Sequence, residues 1–256
     1  MEKRNRPIGF FDSGVGGLSV LKETLKLLPN EDYIYFGDSI NAPYGTKNVE
    51  EVKKYAFNAV KLLLDKDAKA IVVACNTATS VAIKELREKY NNIPIIGIEP
   101  AIKPAVEMKK NGKILIMATP MTLSMDKFNN LVENYNDKEI IPLPCPGLAE
   151  IIEQGIVSGD KIKFYLQDKF KNIKVTEIST IVLGCTHYPF IKKEIRNLLG
   201  NDIDIIDGSL GTSKRLKYKL EENNILSGKE DKGSVVLYNS KEDNMVLELC
   251  YKLLNS

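Results

Sequence analysis

The sequence predicts an α/β fold made of two similar halves, each a mostly parallel sheet flanked by helices. The first observation is that short β-branched runs alternate with amphipathic stretches along the chain, which is typical of parallel strands joined by helices. The second is that strand-sized segments recur at a separation of about 110 residues. Together they predict a duplicated α/β unit.

The strand candidates are short apolar runs bounded by polar or turn-forming residues. Nine are predicted, at residues 8–11, 33–36, 70–74, 95–98, 113–118, 139–143, 180–184, 203–207 and 234–238. Helices fill the gaps, and the segment 49–65 is a good example. Asn48 and Glu51 form a candidate capping box, and the apolar residues of this segment fall on one helix face that we expect to be core.

The internal repeat relates strands in the same order in both halves. Residues 71–77 read onto 181–187 with an offset of 110, residues 8–12 onto 114–118 with an offset of 106, and residues 95–99 onto 203–207 with an offset of 108. A helix, a strand and a last helix remain after the second copy. We therefore predict a discontinuous first domain, 1–98 plus 208–256, and a second domain, 99–207.

Composition narrows the classes of function. The chain has 256 residues, with 36 Lys plus Arg against 34 Asp plus Glu and a formal charge of +2. Such a balance creates no strong field for nucleic acid or an anionic membrane, so we expect a small-molecule partner. No apolar run approaches the length of a membrane span. The basic N-terminus leads directly into a strand pattern without the features of a signal peptide, which predicts a cytoplasmic protein.

Four widely separated cysteines match neither a disulfide framework nor a zinc pattern, so free thiols are expected. Cys75 and Cys185 occupy equivalent places in the two halves, each between a strand and a predicted helix. The carboxyl edge of a parallel sheet is where α/β folds bind ligands, and a helix N-terminus lowers the pKa of a thiol. A single strand cysteine is usually a small buried apolar residue. Two in equivalent polar settings indicate a functional pair instead.

A glycine-rich segment, DSGVGG at residues 12–17, follows the first strand. Its glycines permit a tight turn or close backbone approach, and a role in the turn alone stays open. The segment is not a dinucleotide fingerprint, because Ser19 stands where the third glycine is needed, and it is not a Walker loop, because the Gly-Lys-Ser/Thr sequence is absent. Asp12, just beyond the strand, is expected to point into the same cleft as the thiols.

His187 is the only histidine and follows Cys185 by two residues. It could tune that thiol, act as an acid or bind a metal. A structural zinc site needs four nearby ligands, and neither Cys145 nor Cys250 offers a paired spacing, so we predict no metal.

These segments together resemble the glutamate racemase family, and the match in order and spacing extends over essentially the whole chain. The motifs that carry it are DSGVGG at 12–17, PYGT at 43–46, ACNTA at 74–78 and GCTHYP at 184–189. The resemblance implies two pseudo-symmetric domains with the active site in the cleft between them. It also implies a cytoplasmic isomerase, without cofactor, that makes D-glutamate for peptidoglycan from L-glutamate. Dimers are usual in that family, so a homodimer stands beside a monomer as an alternative.

Residue roles follow from the resemblance alone. It implies that Cys75 and Cys185 are the acid/base thiols, supported by Asp12 and His187, respectively. A supporting glutamate near the second thiol falls on Glu153, with Glu150 as a rival. The implied substrate-binding residues are Asp12, Ser13, Pro43, Tyr44, Gly45, Asn76, Thr77, Thr186 and His187.

Racemisation suits a pair of thiols, because a proton must leave one face of a carbon and another must arrive at the opposite face.

Two other classes of function remain open. Cys185 with His187 could be the nucleophile and base of a thiol hydrolase, although Cys75 is then unexplained. Two α/β lobes could also form an amino-acid-binding module, although binding needs no paired thiols.

Overall fold

A computed structural model of the chain describes residues 2–135 and 138–256. Its strands, β1 to β9 in chain order, are Ile8–Asp12, Tyr33–Gly37, Ala70–Val73, Ile95–Gly97, Lys113–Ala118, Ile140–Pro144, Ile178–Leu183, Asp204–Asp207 and Val235–Asn239. Its α-helices, α1 to α11, are Leu18–Leu27, Val49–Asp65, Asn76–Lys89, Ile102–Glu107, Pro120–Ser124, Asp126–Glu133, Leu148–Glu153, Asp160–Phe170, Lys192–Leu199, Ser209–Glu222 and Asn244–Asn255. All nine strand predictions are confirmed, with shifts of up to two residues at their ends.

The strands form two sheets in which every pairing is parallel. The first has the order β4-β3-β1-β2-β9 and the second the order β6-β5-β7-β8. Read from the other edge, the second sheet is β8-β7-β5-β6. This is the order β4-β3-β1-β2 of the first sheet, because β8, β7 and β5 are the partners of β4, β3 and β1 in the sequence repeat and β6 takes the place of β2. The predicted α/β class with two pseudo-symmetric halves is therefore confirmed.

The end of the chain returns to the first sheet. Strand β9 pairs with β2, and α10 and α11 both pack against α1. The chain leaves the first sheet after β4 and comes back after β8. The proposed boundaries at 98/99 and 207/208 lie in these two crossing segments and remain a prediction.

Each sheet has an apolar core on both faces, because successive side chains of a strand point to opposite sides. In β1, Phe10 belongs to the core beneath α1, α10 and α11, whereas Phe11 belongs to the core beneath α2 and α3. The second sheet has equivalent cores on its two faces. The central strands of both sheets are thus buried, whereas the edge strands β6 and β9 are partly exposed.

The predicted capping box at the start of α2 is confirmed. The Asn48 side chain accepts from the Glu51 N–H at 2.9 Å, and the Glu51 carboxylate accepts from the Asn48 N–H at 3.2 Å. This helix has 17 residues.

None of the helices within residues 2–135 and 138–256 is long and apolar enough to cross a bilayer.

One predicted junction is wrong. Cys185 does not precede an α-helix, because residues Tyr188–Ile191 form a 3-10 turn and α9 begins only at Lys192. Pro189 has no N–H with which to bond back to the Cys185 carbonyl, and the N–H of Tyr188 donates there instead, at 3.1 Å. The second thiol therefore lies at a tight turn, unlike the first.

Candidate active site

Cys75 and Cys185 line one small cavity that lies where the carboxyl ends of both sheets meet. Its volume is about 20 Å³. Its lining residues are Ser13, Pro43, Tyr44, Gly45, Cys75, Asn76, Thr77, Thr119, Ala149, Cys185, Thr186 and His187. Both halves of the chain contribute to this wall. Of the residues predicted for the site, only Asp12 and Glu153 lie outside the wall, and both contact residues within it.

Cys75 caps the N-terminus of α3. Its Sγ accepts from the Ala78 N–H at 3.4 Å and lies 3.7 Å from the Ser13 hydroxyl. Burial, reinforced by the negative charge of Asp12, raises the pKa of this thiol to about 12. The expectation of a lowered pKa at this helix N-terminus is wrong for Cys75, because removal from water outweighs the single N–H and the Ser13 hydroxyl.

Cys185, His187 and Glu153 form a chain of contacts. The Nδ1 of His187 lies 3.6 Å from the Cys185 Sγ, and its Nε2 lies 2.5 Å from the Glu153 Oε1. Burial alone would lower the pKa of His187, but the contacts with Cys185 and Glu153 dominate and raise it well above the usual range. Burial would likewise raise the pKa of Glu153, yet its bond to His187 lowers it. The pair is therefore an imidazolium and a carboxylate.

The structure distinguishes Glu153 from Glu150. Glu153 ends α7 and, besides His187, accepts from the Val15 N–H at 2.7 Å. Glu150 lies one turn earlier in the same helix, partly exposed, and makes no such contact. Of the two candidates, Glu153 is therefore the one that lies against the second thiol's histidine, as favoured from the sequence.

Asp12 is the last residue of β1 and is completely buried. Its carboxylate accepts from the Gly14 N–H and from the Thr186 hydroxyl, both at 3.1 Å. Burial raises its pKa, and the nearby charge of His187 offsets part of that effect. Asp12 thus joins the first half to the Thr186 segment of the second, and it influences Cys75 through its charge.

The glycine-rich segment permits close approach across the cavity. A Cβ at Gly14 would lie 2.0 Å from the Glu153 carboxylate, and one at Gly16 would lie 2.5 Å from the His187 ring. Neither glycine has a positive φ, so the requirement is for space and not for a left-handed turn. The two glycines therefore do more than permit the turn, because they let the groups that surround Cys185 pack against it.

The PYGT segment presents Tyr44 and Gly45 to the cavity. The Tyr44 hydroxyl donates to the Asp38 carboxylate at 2.7 Å, which fixes the ring. A Cβ at Gly45 would lie 2.9 Å from the Thr119 Cβ, so this segment also packs closely against the other half.

Asn76 and Thr77 open α3 beside Cys75. The Oδ1 of Asn76 is buried and has no hydrogen-bond partner among the residues that the structure describes. The Thr77 hydroxyl lies 3.1 Å from that of Thr119, which in turn lies 2.9 Å from that of Thr122. The wall therefore holds one unused acceptor and a cluster of hydroxyls.

Sequence reasoning missed Thr119, Ala149 and Asp38. Thr119 follows β5 as Ser13 follows β1, and the repeat offset of 106 maps one onto the other. The repeat could therefore have predicted Thr119 as a site residue from the sequence. Asp38 and Ala149 stand in ordinary loop and helix sequence, and only the fold brings them here.

The other two cysteines are buried, and burial raises the pKa of both Cys145 and Cys250 to about 12. All four cysteines are free thiols. In the described part of the chain, no group of three or more His, Cys, Asp or Glu residues is arranged to hold a metal ion.

The comparisons with known proteins agree with this geometry. The family model for Asp/Glu/Hydantoin racemase matches residues 13–210. A curated glutamate racemase of Clostridium botulinum (strain Okra / Type B1) is 61% identical over 256 residues, covering 100% of this chain and 99% of that protein.

Solved structures show the same similarity. Glutamate racemase from Francisella tularensis subsp. tularensis SCHU S4, in complex with D-glutamate, has a TM-score of 0.85 and 34% identity, covering 99% of this chain and 95% of that one. Escherichia coli glutamate racemase, in complex with L-glutamate and the activator UDP-MurNAc-ala, has a TM-score of 0.82 and 29% identity, covering 98% and 94%. The chain therefore belongs to the Asp/Glu/Hydantoin racemase family, whose racemases are isomerases.

Proposed function

We propose that this enzyme is a glutamate racemase that interconverts L-glutamate and D-glutamate with two thiols and no cofactor. The observation that carries the proposal is that Cys75 and Cys185, from equivalent places in the two halves, line one cavity. Similarity to glutamate racemases at 61% identity over the full length supports the choice of substrate.

The two thiols divide the acid and base roles. In the L-to-D direction, the Cys185 thiolate removes the α-proton, and the Cys75 thiol delivers its own proton to the opposite face. The products are D-glutamate, a Cys185 thiol and a Cys75 thiolate, so one proton must move back before the next turnover. The raised pKa of Cys75, about 12, favours the thiol as its resting form. The imidazolium of His187, 3.6 Å from the Cys185 Sγ, stabilises a thiolate there.

The wall of the cavity suits an amino acid with two carboxylates. The buried Oδ1 of Asn76 lacks a donor, and an α-ammonium group would supply one. The hydroxyls of Ser13, Thr77 and Thr119 are donors for carboxylates. A volume of about 20 Å³ suits a single water and not glutamate, so we expect the site to widen when the substrate enters.

The cellular role follows from the resemblance. We propose that the enzyme acts in the cytoplasm and supplies D-glutamate for peptidoglycan. Growth of a D-glutamate-requiring bacterial strain that carries this gene tests the role, and failure to support growth would argue against it. A homodimer remains a prediction, which light scattering tests.

The central experiment follows optical rotation of L-glutamate after addition of the purified protein, without pyridoxal phosphate and with a chelator present. We expect the rotation to decay to zero, because the enantiomers have equal free energies. L-Aspartate serves as the matched substrate control and should be turned over much more slowly. No change with glutamate, or activity that chelation abolishes and zinc restores, would refute the proposal.

One observation favours a second candidate. Cys185, His187 and Glu153 have the order of nucleophile, base and orienting carboxylate found in thiol hydrolases. A burst of product from an activated glutamyl ester, with a stable acyl-enzyme at Cys185, would support that class. The racemase proposal is preferred because the hydrolase leaves Cys75 without a role.

A further inference from the structure

The carboxylate of Glu153 has different partners at its two oxygens. Oε1 accepts from the Val15 N–H at 2.7 Å and contacts His187 Nε2 at 2.5 Å. Oε2 accepts from the Ser39 hydroxyl at 3.2 Å, and Ser39 is its one hydrogen-bond donor among residues 2–135 and 138–256. The side chain is only 13% exposed, so bulk water competes little for this position.

Ser39 is itself held by the end of the chain's last strand. Asn239 ends β9 and is directly opposite Gly37 of β2, which brings its side chain to the loop after β2. Its Nδ2 donates to the Ser39 Oγ at 2.8 Å. Ser39 and Asn239 are 4% and 6% exposed, respectively. A buried chain of side chains thus runs from β9 through Ser39 and Glu153 to His187.

We propose that Ser39 and Asn239 are positioning residues that orient the Glu153 carboxylate toward His187 and thereby maintain Cys185 as the reactive thiolate. The proposal rests on the proposed function for its consequence in racemisation, but the contacts themselves are independent of it. Neither residue lines the cavity, so neither is expected to touch the substrate.

The direction of the effect follows from electrostatics. A carboxylate that loses its donor at Oε2 is held less firmly and turns partly away from His187. The imidazolium then loses part of its stabilisation, and the positive charge beside the Cys185 Sγ is placed less favourably for that sulfur to react as a nucleophile. Cys75 lies on the other side of the cavity with its own partners, Ser13 and the Ala78 N–H, so its reactivity should not change.

The test measures alkylation of each cysteine by iodoacetamide at neutral pH, followed by peptide mass mapping. In the unaltered protein, Cys185 should react faster than Cys75. In Ser39→Ala, the rate at Cys185 should fall about threefold to tenfold, as expected for loss of one hydrogen bond to a charged group that acts through a neighbour. The rate at Cys75 should stay the same. Asn239→Ala should give a smaller fall at Cys185 alone.

Two further variants separate positioning from packing. Ser39→Thr keeps the hydroxyl and should retain the ratio of Cys185 to Cys75 alkylation. Ser240→Ala is the matched control, since the Ser240 Oγ accepts from the Ile40 N–H at 2.9 Å and so fixes the same loop without touching Glu153. It should leave both alkylation rates unchanged.

Several results would overturn the inference. They are an unchanged Cys185 rate in folded Ser39→Ala, equal falls at both cysteines, or the same fall in Ser39→Thr or Ser240→Ala. If Ser39→Ala does not fold, Asn239→Ala decides by the same criterion. Racemisation of glutamate is measured in parallel and should fall with the Cys185 rate. If the unaltered protein does not racemise glutamate, the proposed function is refuted. The alkylation result still decides the role of Ser39 in that case.

Discussion

At the scale of single residues, the two thiols differ because their neighbours differ. Cys75 faces the negative charge of Asp12, and burial raises its pKa to about 12. Cys185 faces His187, whose contacts with Cys185 and Glu153 raise the histidine pKa well above its usual range. The same side chain in equivalent positions of two similar halves therefore has two different electrostatic surroundings, a carboxylate beside Cys75 and an imidazole beside Cys185.

The assignment of each thiol to one face of the substrate is testable by elimination. L- and D-glutamate have equal free energies, so kcat/KM must be equal in both directions and racemisation kinetics cannot assign the thiols. A glutamate analogue with a leaving group on its β-carbon needs only deprotonation. We expect Cys75→Ala to eliminate from the L-form and not the D-form, and Cys185→Ala to show the opposite preference, as followed by release of the keto acid. Both variants should lose racemisation.

The opposite stereochemical preference would reverse this assignment. Equal loss on both forms, with the fold intact by circular dichroism, would contradict the division of labour between the thiols. Appreciable racemisation by either single variant would contradict the two-base mechanism itself.

The ion pair of His187 and Glu153 predicts a pH dependence of stability. The pKa of His187 is raised above its usual value of 6.5, so its contribution to the free energy of unfolding is fully present below about 6.5 and is lost as the pH rises through the folded-state pKa. The pKa of Glu153 is lowered below its usual value of 4.5. Its contribution to the free energy of unfolding is therefore present above pH 4.5 and is lost as the pH falls through the folded-state pKa. The unaltered protein should have a larger free energy of unfolding than His187→Gln, and this difference should shrink from pH 6.5 upward and from pH 4.5 downward.

Urea denaturation at a series of pH values measures this difference. The same comparison for a surface pair, with Lys61→Gln beside Asp65, should show little effect, since water screens the attraction between exposed charges. An advantage over His187→Gln that grows above pH 7 would mean that the histidine is neutral in the folded protein.

At the scale of elements, the glycine-rich turn between β1 and α1 docks the groups that surround Cys185. A Cβ at Gly14 would lie 2.0 Å from the Glu153 Oε1, which is the far end of a flexible side chain. We therefore expect Gly14→Ala to fold, displace the carboxylate and lower kcat/KM by about tenfold or more, the scale seen when a supporting partner is lost. Racemisation and thermal unfolding measure the two effects.

Gly211→Ala is the control for Gly14→Ala. Gly211 lies exposed in α10, and an added Cβ there meets nothing within 4 Å. That substitution should keep full activity and stabilise the protein by up to about 1 kcal/mol. Full activity in Gly14→Ala would mean that Glu153 need not approach this turn.

The elements show what sequence could predict and what it could not. The buried central strands β1, β3, β5 and β7 were recognised because they are continuous apolar runs, and the capping box of α2 has a local signature. The turn at Tyr188–Ile191 was missed, because Pro189 is compatible with both an α-helix and a 3-10 turn. The raised pKa of Cys75 was missed too, since burial depends on the whole fold. Asp38 reaches the site only through its contact with Tyr44.

At the scale of the whole molecule, the repeat explains why the site lies between the halves. Parallel strands bring β1, β2 and β3 to the cavity from one side and β5, β6 and β7 from the other. Each half also contacts the other directly, since Gly45 of the first packs on Thr119 of the second and Glu153 of the second packs on Gly14 of the first. These contacts are related by the same pseudo-symmetry that pairs Cys75 with Cys185. This arrangement supports the proposal that two thiols serve the two faces of one α-carbon.

The most direct test of this account is the site of deuterium incorporation when glutamate is racemised in heavy water. L-Glutamate is followed by mass spectrometry of the separated enantiomers early in the reaction. If one thiol removes the α-proton and the other delivers a solvent-derived deuteron, D-glutamate should carry deuterium as it forms while the remaining L-glutamate stays unlabelled. Starting from D-glutamate, the labelled product should be L-glutamate. Product that retains the original α-proton, or remaining substrate labelled before product appears, would contradict the central claim.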